Sequence, residues 1–138
     1  DVLLLLPPNA FGDVMIGSRE KTGAIRIGEP WYRHFFGRVF NLIVRSLLIP
    51  NVYDTQCGFK CFSKHAREEI FPLINTGGWS FDIEILLLCK DLKINLIEIP
   101  VTWTYKAGTK VNLFKDSIKM FAEVIKLYFS RKMRKHKQ

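Results

Sequence analysis

The chain has 138 residues, 48% hydrophobic and 25% charged, with 11 Phe, 4 Tyr and 3 Trp. That supplies apolar area for one core but little length for two, which argues against disorder and a two-domain arrangement; 3 cysteines at uneven spacing argue against a disulfide-framed secreted scaffold. The net charge of +8 lies entirely in residues 101–138, a basic tail suited to an anionic surface such as membrane phosphate or nucleic acid.

The chain opens on Asp1 rather than Met, and the apolar run at residues 2–6 stops at Pro7 and Pro8 without the basic segment of a signal peptide. We therefore expect a piece of a longer protein. No stretch reaches the run of about 18 apolar residues that a spanning helix needs, since residues 35–49 are interrupted by Arg38, Asn41 and Arg45. Residues 13–18 (DVMIGS) read as a buried strand that delivers Arg19 at its carboxyl end, where ligands gather in open α/β sheets. Residues 19–29 read as a polar loop.

Pro30 suits a first helical turn, and Trp31, Phe35, Phe36, Val39, Phe40, Leu42, Ile43, Leu47 and Leu48 recur at helical spacing up to Pro50. The apolar face is too broad for a helix half in water. It is either deeply packed or laid against lipid, with arginines reaching toward head groups or a bound phosphate. Residues 54–62 (DTQCGFKCF) read as a turn leading into a short strand, with Gly58 marking a bulge or close backbone approach. Ser63 caps a helix through Phe71, and Asp82 starts another through Lys90. Residues 94–105 are β-branched and aromatic, broken by Pro100, with Val101, Trp103 and Tyr105 on one face. From Phe114 a basic amphipathic helix runs into RKMRKHK; residues 112–138 form a basic helical tail within one partial domain spanning 1–138.

Three constellations stand out. Cys57, Cys61 and His65 lie four residues apart but lack a fourth ligand, so no metal site is assigned to them. Asp82 and Glu84 beside Trp79 and Phe81 either stabilise a helix N-terminus or line a mouth that binds sugar hydroxyls. Asp54, Gln56 and Lys60 put an acid, an amide and a base in one loop, as a site or as an Asx turn. There is no glycine-rich phosphate loop, Walker pattern or helical HExxH, and no nucleophile motif beside His34, His65 or His136.

The strings VMIGSR (14–19), FNLIVRSLL (40–48), DTQCGFKCF (54–62), WSFDIEILLL (79–88) and IEIPVTWTYKAGTK (97–110) resemble, in order and spacing, the C-terminal half of family 2 glycosyltransferases. Within these they are most similar to the dolichyl-phosphate β-glucosyltransferases and their prokaryotic polyprenyl-phosphate relatives. The resemblance implies a partial GT-A, Rossmann-like α/β fold, of which this chain is the acceptor-side half. It implies transfer of glucose from UDP-glucose to a dolichyl or polyprenyl phosphate with inversion, feeding protein N-glycosylation or a related lipid-linked glycan pathway. By motif position Arg19, Arg33 and Lys60 would bind the acceptor phosphate; Asp54, Asp82 and Glu84 would be catalytic; Gln56 and Trp79 would bind sugar or substrate. Gly37 stands where mannosyl-transferring relatives carry Ser. The family holds Mg²⁺ or Mn²⁺ on a DxD motif, which is absent from this chain, as its donor half is. The implied partners are a nucleotide-sugar donor, a lipid-phosphate acceptor and a membrane surface rather than nucleic acid. The implied location is the cytosolic face of the endoplasmic reticulum, or a prokaryotic plasma membrane. The alternatives are another family 2 transferase, mannosyl or polysaccharide-forming, and an inactive basic membrane-binding module.

Overall fold

The computed structural model describes residues 12–106 and 113–135. Their elements run β1 (Val14–Ser18), β2 (Ile25–Ile27), α1 (Trp31–Leu47), β3 (Lys60–Phe62), α2 (Lys64–Ile70), α3 (Phe81–Asp91), β4 (Leu96–Pro100), β5 (Thr102–Thr104) and α4 (Leu113–Lys135). This is a mixed α/β chain. The three-stranded sheet has the order β3-β1-β4, with β1 antiparallel to β3 and parallel to β4; β2 and β5 form a parallel pair.

Every residue of β1 is buried, as its unbroken apolar run requires of a central strand covered on both faces. Val14 and Ile16 pack in one cluster with Val44 of α1, Ala66 and Ile70 of α2, Ile83 and Leu86 of α3, and Val124 of α4. Ser63 caps α2 by accepting the Ala66 N–H at 3.1 Å, and its own N–H donates to the Asp13 carbonyl at 2.7 Å. Helix α2 ends at Ile70, one residue before the expected end, and Pro72 is taken up in a single 3₁₀ turn (Phe71–Leu73). A second 3₁₀ turn (Gly78–Ser80) leads into α3.

Two sequence expectations are corrected. Residues 19–29 are not wholly loop, because Ile25–Ile27 pair with Thr102–Thr104. The Val101 N–H donates to Ser18 O at 3.2 Å, and the Ile25 N–H donates to Val101 O at 3.1 Å. The second pair thus prolongs the β1–β4 ladder beyond the break at Pro100, while residues 19–24 loop out of it. The strand is short and both its isoleucines are exposed, so its own sequence carries no burial pattern. The close backbone approach is likewise at Gly17 and not at Gly58. A Cβ on Gly17 would lie 3.0 Å from Val101 Cγ1, 3.1 Å from Cys57 Sγ and 3.1 Å from Phe59 Cδ1, whereas one on Gly58 meets nothing within 4 Å.

Helix α1 turns Asn41 and Val44 inward and leaves most of its aromatic residues exposed, so it is not deeply packed. The expected tail begins at residue 112 and its RKMRKHK cluster spans 131–137; residue 112, the 131–135 side chains and residues 136–138 lie outside the description, as does the GTK of 108–110.

The glycine contrast is testable. Gly17→Ala lowers stability by about 1–3 kcal/mol through overpacking, read as a fall in the urea midpoint, while Gly58→Ala leaves the midpoint nearly unchanged.

Candidate functional site

Ser18 ends β1 and turns the chain. Its buried hydroxyl accepts the N–H groups of Glu20 at 3.4 Å and Lys21 at 3.2 Å, which aims Arg19 back toward the turn at residues 53–56. There the Arg19 guanidinium grips Asp54 with two bonds, Nε to Oδ2 at 2.6 Å and Nη2 to Oδ1 at 2.9 Å, and the Arg19 N–H adds a third to Oδ2 at 3.0 Å. Two-pronged geometry of this kind is the strong form of a charge-assisted bond.

Burial by itself would raise the Asp54 pKa, but hydrogen bonds and charge from Arg19 outweigh it and hold the carboxyl below its ordinary value. Burial would likewise lower the Arg19 pKa, and Asp54 reverses that too. The pair is therefore fully ionised at neutral pH.

The turn is itself held from two sides. Glu98, buried on β4, accepts the N–H groups of Tyr53 at 2.9 and 3.0 Å and of Asp54 at 2.9 Å. Asn41 on the inner face of α1 accepts Thr55 Oγ1 at 2.6 Å and the Thr55 N–H at 3.1 Å. An Asx turn, with the Gln56 N–H donating to Asp54 Oδ1 at 3.3 Å, completes it. The adjoining Cys57 is buried, and burial pushes its thiol pKa upward, which keeps it protonated and unreactive at neutral pH.

A second ion pair sits on the same segment. Lys60, its side chain 6% exposed, donates to Asp82 Oδ1 at 2.7 Å and to Cys57 O at 2.5 Å. Asp82 lies in the first turn of α3, where a negative charge is favoured by the helix dipole.

Strand β5 adds an aromatic wall. The guanidinium carbons of Arg19 and Arg26 lie 5.6 and 6.0 Å from the Trp103 ring centroid, and that of Arg33 lies 5.4 Å from the centroid of Tyr105. The Trp103 and Tyr105 centroids are 6.2 Å apart. Among the described residues Arg33 has no carboxylate partner, unlike Arg19, Arg26, Arg38 and Lys60.

The structure thus brings Arg19, Asp54, Gln56, Lys60 and Asp82 together on the 54–60 segment, with Arg33 at the aromatic wall beside Arg19. Glu84 does not join them. Its carboxylate is buried and accepts the N–H groups of Asn75 at 3.2 Å and Thr76 at 2.8 Å, fastening the loop before α3. The expected common mouth of Asp82 and Glu84 is corrected accordingly: two residues apart on a helix point some 200° apart around its axis. The Trp79 side chain lies outside the described residues.

Glu98, Asn41 and Trp103 were not singled out as site residues from the sequence. The signal for the first was a lone acid in an apolar strand, LIEIP, and for the second a lone amide on the inner side of an apolar helix. Among the described residues there is no group of three or more His, Cys, Asp or Glu side chains that could hold a metal. Asp54, Asp82, Glu84 and Glu98 are each already engaged by cations or N–H groups, so they do not fit a divalent ion.

No family model matches the chain. Among curated proteins it is 43% identical over 115 residues to the dolichyl-phosphate β-glucosyltransferase of Saccharomyces cerevisiae, covering 81% of this chain and 34% of the relative. It is 34% identical over 119 residues to that of Homo sapiens, covering 86% of this chain and 36% of the relative. It is also 30% identical over 122 residues to glycosyltransferase AglD of Haloferax volcanii, covering 88% and 19%. The chain spans about a third of the length of the two glucosyltransferases.

The Arg19–Asp54 pair sets a pH dependence. Because the Asp54 pKa is depressed on folding, its stabilisation is complete above the unfolded value of about 3.9 and is lost as the pH falls through the lower folded value. Asp54→Asn leaves a largely buried Arg19 without its countercharge and costs about 3 kcal/mol near neutral pH. In urea titrations the gap between the two proteins narrows as the pH is taken from about 5 to about 2; a gap independent of pH contradicts this account.

Proposed function

Because the chain belongs to the dolichyl-phosphate β-glucosyltransferase family, we propose that it forms the acceptor side of an enzyme that transfers glucose from UDP-glucose to a dolichyl or polyprenyl phosphate with inversion. The observation that carries this reading is the unequal state of the three cations. Arg19 and Lys60 are locked into ion pairs with Asp54 and Asp82, whereas Arg33 lies over Tyr105 with no carboxylate partner among the described residues. A phosphate entering here meets one uncompensated guanidinium and two neutralised pairs that fix the walls around it.

A phosphate monoester has its second pKa near 6, so a lipid phosphate is largely a dianion at neutral pH and needs little help from a general base. Arg33 would orient it. One phosphate oxygen would form the bond to the anomeric carbon of glucose while the bond from that carbon to UDP breaks on the opposite face, which inverts the centre and releases UDP. Asp54, fixed in its ionised form, and Asp82 would set the electrostatic environment of the carbon as positive charge develops on it. Gln56 and Trp79 would contact the sugar. Mg²⁺ or Mn²⁺, where the enzyme uses it, would neutralise the leaving diphosphate, held by residues other than the carboxylates described above.

The parallel β1–β4 pairing with an antiparallel β3 accords with a GT-A, Rossmann-like sheet. Helix α1 exposes an aromatic and aliphatic face, and no described helix is long and apolar enough to cross a membrane. The exposed face of α1 supports attachment to a membrane surface, which we propose is the cytosolic one, where a lipid phosphate would be presented.

The reading is tested with a short-chain isoprenyl phosphate titrated into the protein and followed by phosphorus NMR. Arg33→Ala weakens binding about tenfold, the worth of one charge-assisted bond, and the corresponding isoprenyl alcohol does not bind. Equal binding of phosphate and alcohol overturns the acceptor assignment. A protein of the relatives' length carrying this segment, given radiolabelled UDP-glucose or GDP-mannose with dolichyl phosphate, labels lipid from UDP-glucose; labelling only from GDP-mannose shifts the reading to a mannosyl enzyme.

A further inference from the structure

Helix α1 has an outward face that nothing in the described structure covers. Trp31, Phe35 and Leu42 are 80%, 57% and 61% exposed, and with Val39 they recur at the spacing of one helical stripe. Along one border of the stripe stand Arg38 and Arg45, two turns apart on the same helix. They line a groove of about 400 Å³ together with Glu20, Phe35, Asn41, Leu42 and Tyr53.

The two arginines are held differently. Arg45 lies over Tyr53, its guanidinium carbon 4.5 Å from the ring centroid, and its Nη2 reaches Pro50 O at 3.5 Å. Its Nε is buried without a hydrogen-bond partner among the described residues. Arg38 extends into solvent and shares Glu20 with Arg26, its Nη1 lying 3.2 Å from Glu20 Oε2. Arg26 is itself divided between Glu20 and Glu29, so these two acids balance Arg26 and Arg38, and it is Arg45, with no acid partner among the described residues, that leaves the groove with an excess positive charge beside an apolar ridge. None of these cations belongs to the group assigned to the acceptor phosphate.

The geometry points to a second phosphate seat: the phosphodiester of an anionic glycerophospholipid in the bilayer sits between Arg38 and Arg45, while Trp31, Phe35 and Leu42 lie among the acyl chains. Charge and shape both select this occupant. A soluble phosphate would leave the ridge in water, and a second copy of the same apolar face would bury two like-charged arginines against each other. A bilayer supplies hydrocarbon for the stripe and anionic oxygens for its border, the arrangement in which arginine side chains reach from an apolar surface to head groups. The inference rests on the membrane-surface reading given above and makes it specific, because attachment then depends on bulk anionic lipid at a place separate from the acceptor site.

The test is co-sedimentation of the whole chain with phosphatidylcholine vesicles, with and without about 30% phosphatidylserine, monitored for folding by circular dichroism. Wild type binds the mixed vesicles more tightly. The Arg38→Gln/Arg45→Gln protein loses about thirtyfold of that affinity, five- to sixfold per cation, and keeps its weak binding to neutral vesicles. Leu42→Asp lowers binding to both. A third variant with the basic residues of 131–137 replaced by Gln separates this seat from the tail. If that variant loses all preference for phosphatidylserine and the double arginine variant loses none, the seat is overturned while membrane attachment stands. If wild type binds neither vesicle, the membrane-surface reading itself fails. A concentration-dependent dimer abolished by Leu42→Asp, with no vesicle binding, assigns the face to a second copy and overturns the inference.

Discussion

A carboxylate with 1% of its surface in water stays ionised only where other groups replace the water it has lost, and at Asp54 the replacement is complete. The guanidinium of Arg19 and the N–H groups of Arg19 and Gln56 all point at its two oxygens. The cost of removing both charges from water is several kcal/mol, recovered only if the geometry is kept, so the pair acts as a geometric constraint more than as a source of net stability. Much of the local architecture meets that constraint. Ser18 turns the chain after β1, Glu98 and Asn41 hold the turn that carries Asp54, and Gly17 lets Cys57 and Phe59 close over the strand.

The consequence for the site is a division of labour among cations. An arginine gripped at three points by a buried carboxylate is poorly placed to follow a mobile ligand, but it defines a wall that does not move. Lys60, nearly as buried and tied to Asp82, does the same from the neighbouring strand. Arg33 stands on a helix, over an aromatic ring and with no acid partner among the described residues, so its charge is available. Preorganised charge of this kind costs no reorganisation when a reaction develops charge beside it, which is why fixed pairs beside an arginine without an acid partner among the described residues suit the proposed transfer to an anionic acceptor.

How much of this was legible in the sequence depended on whether the stabilising partner was local. Strand β1, helix α1 and the cap at Ser63 depend on neighbours within a few residues, and their periodicity or capping residue announced them. Strand β2 exists because β5, more than seventy residues away, offers it a ladder, and nothing in IRI records that. The same distinction separates Glu84 from Glu98. Glu84 stood in a motif beside Asp82, yet helical geometry turns it toward the 75–76 loop. Glu98 looked like one polar residue in an apolar strand, and its role emerges only when Tyr53 and Asp54 are brought to it from 45 and 44 residues away. Gly17 and Gly58 both sat inside recognisable strings, but the crowding that separates them comes, at Gly17, from Val101, Cys57 and Phe59, all distant in the chain.

Helix α1 joins the two proposed phosphate sites in one element. Arg33 near its start faces the aromatic wall, Arg38 and Arg45 border the outer groove, and Asn41 belongs to both sides, since it lines that groove and its amide oxygen holds Thr55 in the turn beside Asp54. A helix of this length moves as a body, because its backbone bonds resist bending far more than its packing resists sliding. Contact of the outer face with a bilayer, as proposed, would therefore bear on the position of Asn41, and through it on the turn that carries Asp54. On the proposed reading, the net charge of +8 in residues 101–138 would bring the protein toward an anionic surface from a distance, and the arginines of α1, in a part of the chain with little net charge, would fix the orientation in which it rests there.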